Sequence, residues 1–238
     1  MLRTLKRLAL KIPGVHGLYL HAVCRWKRYS PVEHTFTRIF QRNGWEGAES
    51  VSGTGSDLCH TRRLVAELPV LFKELGIGTL LDIPCGDFNW MRTIDLGGIQ
   101  YTGADIVRDL VKRNCKYVND KVQFRHLDLL SSDLPRADVV LCRDCLVHLS
   151  FDQVYQALAN ICRSGSTYLL TTTFPEKTKN NDVKAGDWRP LNLELAPFRL
   201  PPPLRLIIEG YVKKPEYADK SLGFWRVADI AEILDHGS

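Results

Sequence analysis

Thr79-Leu80-Leu81-Asp82-Ile83-Pro84-Cys85-Gly86-Asp87-Phe88-Asn89-Trp90-Met91 is the stretch on which the fold turns. It opens as a short apolar run ending in an acid, breaks at Pro84-Cys85-Gly86 and resumes with residues able to start a helix. Such a run, bounded by turn residues, reads as a buried parallel strand followed by a tight turn and a helix N-terminus. In an open α/β sheet, ligands lie beyond the carboxyl ends of the strands, where such turns sit. A glycine in the turn has no Cβ and lets the backbone approach a ligand closely.

The pattern repeats outward from this stretch. Further strands are expected at 101–106, 122–126, 137–142 and 167–173, and two more at 204–212 and 222–228. Between them, helical spacing predicts helices over 58–75, 107–118 and 151–163. Asp57 or Ser56 is placed to cap the first of these, and Pro69 to kink it. Residues 44–57 are small and polar and read as a loop, either a linker or a cover for the ligand site. Asp105 stands 23 residues after Asp82, at the end of the neighbouring strand. There it could accept two hydrogen bonds from ribose hydroxyls, cap the helix that follows, or do both.

The stretch around Asp82 resembles the class I S-adenosylmethionine-dependent methyltransferases, whose first motif reads acid-x-Gly-x-Gly-x-Gly. Asp82 and Gly86 match the acid and the middle glycine, while Pro84 and Phe88 replace the outer two. A dinucleotide-binding unit begins similarly but needs all three glycines to pass a pyrophosphate. S-adenosylmethionine has no phosphate, so that requirement is softer. The alternative is a strand, turn and helix with no ligand. The resemblance spans about residues 50–230 and implies an α/β fold. That fold is a Rossmann-like, seven-stranded, mostly parallel sheet with helices on both faces, three layers in all, and a C-terminal antiparallel hairpin. It implies S-adenosylmethionine as cofactor, with Asp128 on the adenine amino group and Leu129 against the ring. The cofactor-binding candidates are Asp82, Pro84, Cys85, Gly86, Asp105, Ile106, Asp128, Leu129 and Arg143.

In the family, the acceptor meets the methyl group after the fourth strand. Here that region reads Arg143-Asp144-Cys145-Leu146-Val147-His148. A hydroxyl acceptor must lose its proton, which makes His148 the candidate base and Asp144 its orienting group or substitute. Residues 174–203 replace the helix usual at this point with polar, proline-rich sequence and read as a lid-like insertion. Asp187, Trp188, Arg189 and Lys220 are the candidate substrate-binding residues, with Trp188 available to stack on a sugar. The expected function is O-methylation of a small-molecule or glycan hydroxyl. The alternatives are N-methylation of an amine, or a non-catalytic binding module. Cys142-x-x-Cys145-x-x-His148 has a metal or redox spacing, but no second cysteine pair accompanies it, so no metal is expected.

Composition bounds the rest. The 238 residues carry a net charge of +5, but nine of the Lys/Arg and only one acid fall in residues 1–42. The expected organisation is therefore a basic extension over 1–49 and a methyltransferase domain over 50–238. Leu2, Leu5, Leu8 and Ile12 lie at helical spacing among basic residues, followed by Pro13-Gly14. This is the pattern of a short amphipathic helix that docks on an anionic membrane or RNA, or that packs on the domain as a cap. Seven scattered cysteines suit reduced thiols in a cytoplasmic protein, free or peripheral to a membrane's inner face, better than a disulfide framework. No stretch has the apolar length of a membrane span, and Lys and Arg interrupt the N-terminal apolar residues as they would not in a signal peptide.

Overall fold

The structure is a computed structural model and describes residues 31–210 and 215–236. Its centre is a seven-stranded sheet in the order β3-β2-β1-β4-β5-β7-β6. The strands are β1 Thr79–Asp82, β2 Gln100–Asp105, β3 Val122–His126, β4 Val139–Cys142, β5 Tyr168–Thr173, β6 Arg205–Ile208 and β7 Ser221–Arg226. β7 runs antiparallel to both its neighbours, and the other pairings are parallel. The helices are α1 Pro31–Gln41, α2 Leu58–Glu74, α3 Arg108–Asn114, α4 Phe151–Arg163 and α5 Val227–His236.

Adjacent residues of a strand face opposite sides, so an uninterrupted apolar run feeds two cores. Leu80, Val139, Leu141 and Leu170 face one side, against Leu64, Leu68, Leu71 and Phe72 of α2. Leu81, Val140 and Leu169 face the other, against Val154, Leu158 and Ile161 of α4 and Ile230 of α5. Ser150 starts α4 through a reciprocal capping box with Gln153.

Several local expectations change. No α-helix follows the turn after β1. Residues 86–90 are turn and loop, and only a single 3₁₀ turn, Met91–Thr93, forms before β2. Buried Trp90, Met91 and Ile94 cover the sheet there instead. α3 ends at Asn114 and continues to Tyr117 as a 3₁₀ turn. α2 runs through Pro69, and its first residue is capped from outside. The Asp57 side chain makes no capping bond, while Glu49 Oε1 accepts from Leu58 N at 2.9 Å. The strand expected over 222–228 ends at Arg226, where α5 begins with no intervening turn. The one expected over 204–212 forms only at Arg205–Ile208, and residues 211–212 lie outside the described residues.

Residues 174–204 form neither helix nor strand, yet they are built into the molecule. Leu191, Leu193, Phe198 and Leu200 belong to the core under α4. The buried side chains of Asn180 and Asn192 satisfy the backbone that secondary structure would otherwise satisfy. Asn180 Nδ2 donates to the carbonyls of Asn192 (2.8 Å) and Ala196 (2.9 Å), and Asn192 Nδ2 to those of Pro175 (3.1 Å) and Lys177 (3.0 Å).

The expected amphipathic helix over 1–12 lies outside the described residues, as does any docking role it has. Residues 31–49 pack against the body. Val32 joins the core, and buried Glu33 accepts from Arg108 Nε at 3.1 Å and is paired with His126 Nε2 at 3.0 Å. No helix among the described residues is long and apolar enough to cross a membrane.

Candidate active site

Asp82, Asp105, Asp128 and Arg143 all fall at the carboxyl edge of the sheet, because β1 to β4 are parallel and in register. Asp82 pairs with Gly103 and Leu141, and Asp105 with His126. A cleft of about 350 Å³ opens along this edge. It is roofed by α1 and by residues 51–56, so the glycine-bearing loop covers the site and does more than link elements.

Gly86 forms the floor. Its φ of +55° is a conformation that side-chain-bearing residues seldom adopt. Its N–H donates to Asp105 Oδ2 at 3.1 Å, and its carbonyl accepts from Asn114 Nδ2 at 2.8 Å. A Cβ here would come within 2.2 Å of Ser52 Oγ. Asp87 ties the roof to this turn. Its Oδ1 accepts from Ser50 Oγ at 2.9 Å, its Oδ2 accepts from Val51 N at 2.9 Å, and its own N–H donates to Ser52 Oγ at 3.0 Å.

Two acids at this end are almost completely buried. Asp82 is 3% exposed, and burial pushes its carboxyl up to about 7 although Tyr101 Oη donates to it at 2.6 Å. Asp105 is equally buried and is pushed up to about 6, despite the N–H groups of Val107 and Gly86 that favour its ionised form. A ligand that brings positive charge and hydroxyl donors relieves that cost. S-adenosylmethionine does so through its ammonium, sulfonium and ribose diol, so these residues fit it. Asp128 and Leu129 also line the cleft, beside Leu127, Leu130 and Ile106, which supply an apolar slot for a flat ring. Asp128 itself shapes the turn there, accepting from Leu130 N at 2.9 Å and Ser131 Oγ at 3.0 Å. Pro84 and Cys85 line the cleft as well.

The other end is walled by Phe36, Trp45, Phe174, Trp188 and Tyr217, with His148, Asp144 and Lys220. His148 packs at 4.3 Å, centroid to centroid, on Trp45. Its Nδ1 lies 2.9 Å from the carbonyl of Asp187, which can only accept, so Nδ1 carries the proton and Nε2 is the basic nitrogen. Burial lowers its pKa from the ordinary histidine value and favours the neutral ring.

Asp144 is poorly suited to replace His148 as a base. Burial alone would raise its pKa, but Lys220 Nζ at 2.6 Å and Arg143 Nη1 at 3.2 Å hold the carboxyl well below the usual range. Arg143, a candidate cofactor contact, lines the cleft but directs its guanidinium elsewhere. It pairs with buried Glu209 through two hydrogen bonds of 3.0 and 2.6 Å and donates to Gly55 O at 2.8 Å, holding the roof. Of the candidate acceptor residues, Trp188 and Lys220 line the cleft, and Asp187 and Arg189 do not. The Arg189 guanidinium is buried against backbone carbonyls, and Asp187 faces solvent, offering the site only its carbonyl. The ligand atoms of Cys142, Cys145 and His148 do not converge. Among the described residues, the one set of three close enough for a common ion is Asp57, Cys59 and His60.

Asn114, Asp87, Ser52, Trp45, Tyr217 and Glu209 were not among the sequence candidates. Only Asp87, Ser52 and Trp45 had a local signal, lying beside or within the glycine-bearing stretches.

A family model for a methyltransferase domain matches residues 81–170. No curated protein matches the chain in a sequence search. Among solved structures, the 1,6-didemethyltoxoflavin-N1-methyltransferase of Burkholderia thailandensis superposes with a TM-score of 0.58 at 18% identity, covering 82% of this chain and 86% of that one. Human N-acetylserotonin methyltransferase gives 0.55 at 13% identity, covering 83% and 60%. The magnesium protoporphyrin IX methyltransferase of Synechocystis gives 0.43 at 15% identity, covering 50% and 58%. The first three structures matched are covered over 58%, 66% and 64% of their own lengths.

The strand order and the matched methyltransferase-domain model over residues 81–170 give the chain the Rossmann-like fold of the class I methyltransferases, with a cleft at the carboxyl edge of its sheet.

Proposed function

We propose that the protein methylates a hydroxyl group of a small molecule or sugar. The observation that carries this reading is the hydrogen bond from His148 Nδ1 to the Asp187 carbonyl, which places the proton of the neutral ring on Nδ1 and its lone pair on Nε2, while burial favours that neutral form. A hydroxyl is a weak nucleophile until its proton is removed, and a neutral imidazole is suited to remove it at cellular pH. S-adenosylmethionine supplies an electrophilic methyl whose transfer leaves a neutral thioether. The chain's own residues then have three tasks. Asp82, Asp105 and the Gly86 turn hold the cofactor end, with residues 51–56 excluding water above it. Trp45, Trp188 and Tyr217 give the acceptor flat apolar surfaces. His148 Nε2 takes the hydroxyl proton as the oxygen attacks. Asp144, kept ionised by Lys220 and Arg143, favours the imidazolium that results.

The test is methyl transfer from labelled S-adenosylmethionine to a panel of nucleotide sugars, oligosaccharides, phenols and amines. A hydroxyl acceptor should turn over, and His148→Ala should lower its kcat by about 10²–10⁴-fold with cofactor affinity nearly unchanged. A base acts when deprotonated, so activity should rise with pH through the lowered His148 value and level off below the ordinary histidine range. Turnover confined to amines, or full activity in His148→Gln, would overturn the hydroxyl reading.

A further inference from the structure

Four consecutive carbonyls around His148 are each bound by one short segment. Arg189 Nη1 donates to Leu146 O at 2.8 Å, and Arg189 N donates to Val147 O at 3.1 Å. Gly186 N donates to His148 O at 2.9 Å, and Arg189 Nη2 donates to Leu149 O at 2.8 Å. The return bond is His148 Nδ1 to Asp187 O. Residues 146–148 form a single 3₁₀ turn, whose carbonyls have too few partners of their own. A planar guanidinium suits the task because its fixed fork can reach two acceptors at once. Arg189 is 4% exposed, and no carboxylate is paired with it among the described residues. Its charge rests on carbonyls, including Asn181 O at 3.0 Å, and on the Phe151 ring at 5.6 Å. Burial disfavours the charge on Arg189, and the carbonyls its guanidinium binds offset that cost.

We propose that Arg189 is a positioning residue: with Gly186 and Asp187 it clasps the 146–149 turn and fixes the ring of His148 in the Nδ1–H form. This rests on His148 acting as the base. It also gives the irregular segment 174–204 a task beyond covering the acceptor, since its backbone selects which imidazole nitrogen is basic. The charged groups that act on His148 are Asp144, Lys220 and Arg189 itself, so a substitution that keeps the charge at 189 isolates the geometry. Arg189→Lys does that, because an ammonium cannot span Leu146 O and Leu149 O as the fork does.

Nitrogen-15 NMR of the His148 ring in the full chain, assigned by its disappearance in His148→Gln, reads the tautomer and the titration midpoint without an acceptor. Wild type should show the proton on Nδ1 and a midpoint below the ordinary histidine value. Arg189→Lys should show a mixed tautomer and a midpoint moved up toward that value as water reaches the ring, with S-adenosylmethionine affinity by calorimetry within about twofold. A wild-type ring protonated on Nε2 overturns the clasp, and that measurement needs no variant to fold. An Arg189→Lys spectrum identical to wild type overturns the role of Arg189. The base reading fails separately, through unimpaired methyl transfer in His148→Gln.

Discussion

Asp82 pairs with Tyr101 at 2.6 Å and is almost sealed from water, so ionising it costs more in the folded chain than in the unfolded one. The sign follows from a folded pKa of about 7 against an ordinary 3.8. The native state holds the proton more tightly, so the stability this group contributes is fully present below about pH 4 and is lost as pH rises through about 7. Asp82→Asn removes the ionisation and keeps an oxygen to accept from Tyr101. The variant should be more stable than wild type without cofactor at pH 8, by about 1–3 kcal/mol, and the gap should close toward pH 4. It should also bind S-adenosylmethionine at least about tenfold more weakly, the usual trade between stability and function. Paired melting curves from pH 4 to 8, with calorimetry at pH 8, check both. A gap that does not vary with pH would show that Asp82 is not the strained group.

At the scale of an element, the turn after β1 and the loop over residues 50–56 behave as one unit. Apart from a single 3₁₀ turn at Thr54–Ser56, neither has regular secondary structure, and each supplies the other's hydrogen bonds through Asp87, Ser50 and Ser52. Gly86→Ala should disturb both together, because the new methyl is strained by the positive φ and meets Ser52 Oγ. The expected stability loss is about 1–2 kcal/mol. Amides of residues 50–56 should exchange faster, and cofactor affinity should fall at least about tenfold. Exchange read by mass spectrometry is the decisive measurement. Protection unchanged at 50–56 beside weakened binding would mean that the roof does not depend on the turn.

Across the whole molecule, Arg143, Asp144, Glu209 and Lys220 join parts that the sheet alone leaves far apart in sequence. Arg143 and Asp144 follow β4, Glu209 follows β6 and Lys220 precedes β7. The network links the parallel half of the sheet to its antiparallel edge, and through Gly55 O to the roof of the cleft. Its charges balance, but the side chain of Glu209 is only 1% exposed, so removing that charge leaves Arg143 and Lys220 underpaired. Glu209→Gln should therefore cost on the order of 3 kcal/mol in urea unfolding. It should also loosen residues 53–56. An unfolding midpoint within error of wild type would show the network to be dispensable.

The sequence by itself determined the sheet and the acidic carboxyl edge along which the cleft opens. Asp82, Asp105 and Asp128 each stand at or just past the end of an expected strand, and parallel strands in register bring such residues to one side whatever the loops do. It did not determine α5, because no Gly, Pro, Asn, Asp or Ser stands between Phe224 and Ala228 to mark the change from strand to helix. Nor did it separate the roles of Trp188 and Arg189. They are adjacent in one irregular segment, yet Trp188 lines the cleft while Arg189 turns inward to four backbone groups, three of them on the turn that carries His148. Periodicity reports which face of a regular element is buried, and residues 174–204 have no regular element to report on. There the tertiary structure decides: bare carbonyls of a short turn must find donors, and the guanidinium and N–H of Arg189 and the N–H of Gly186, distant in sequence, are what the fold places beside them.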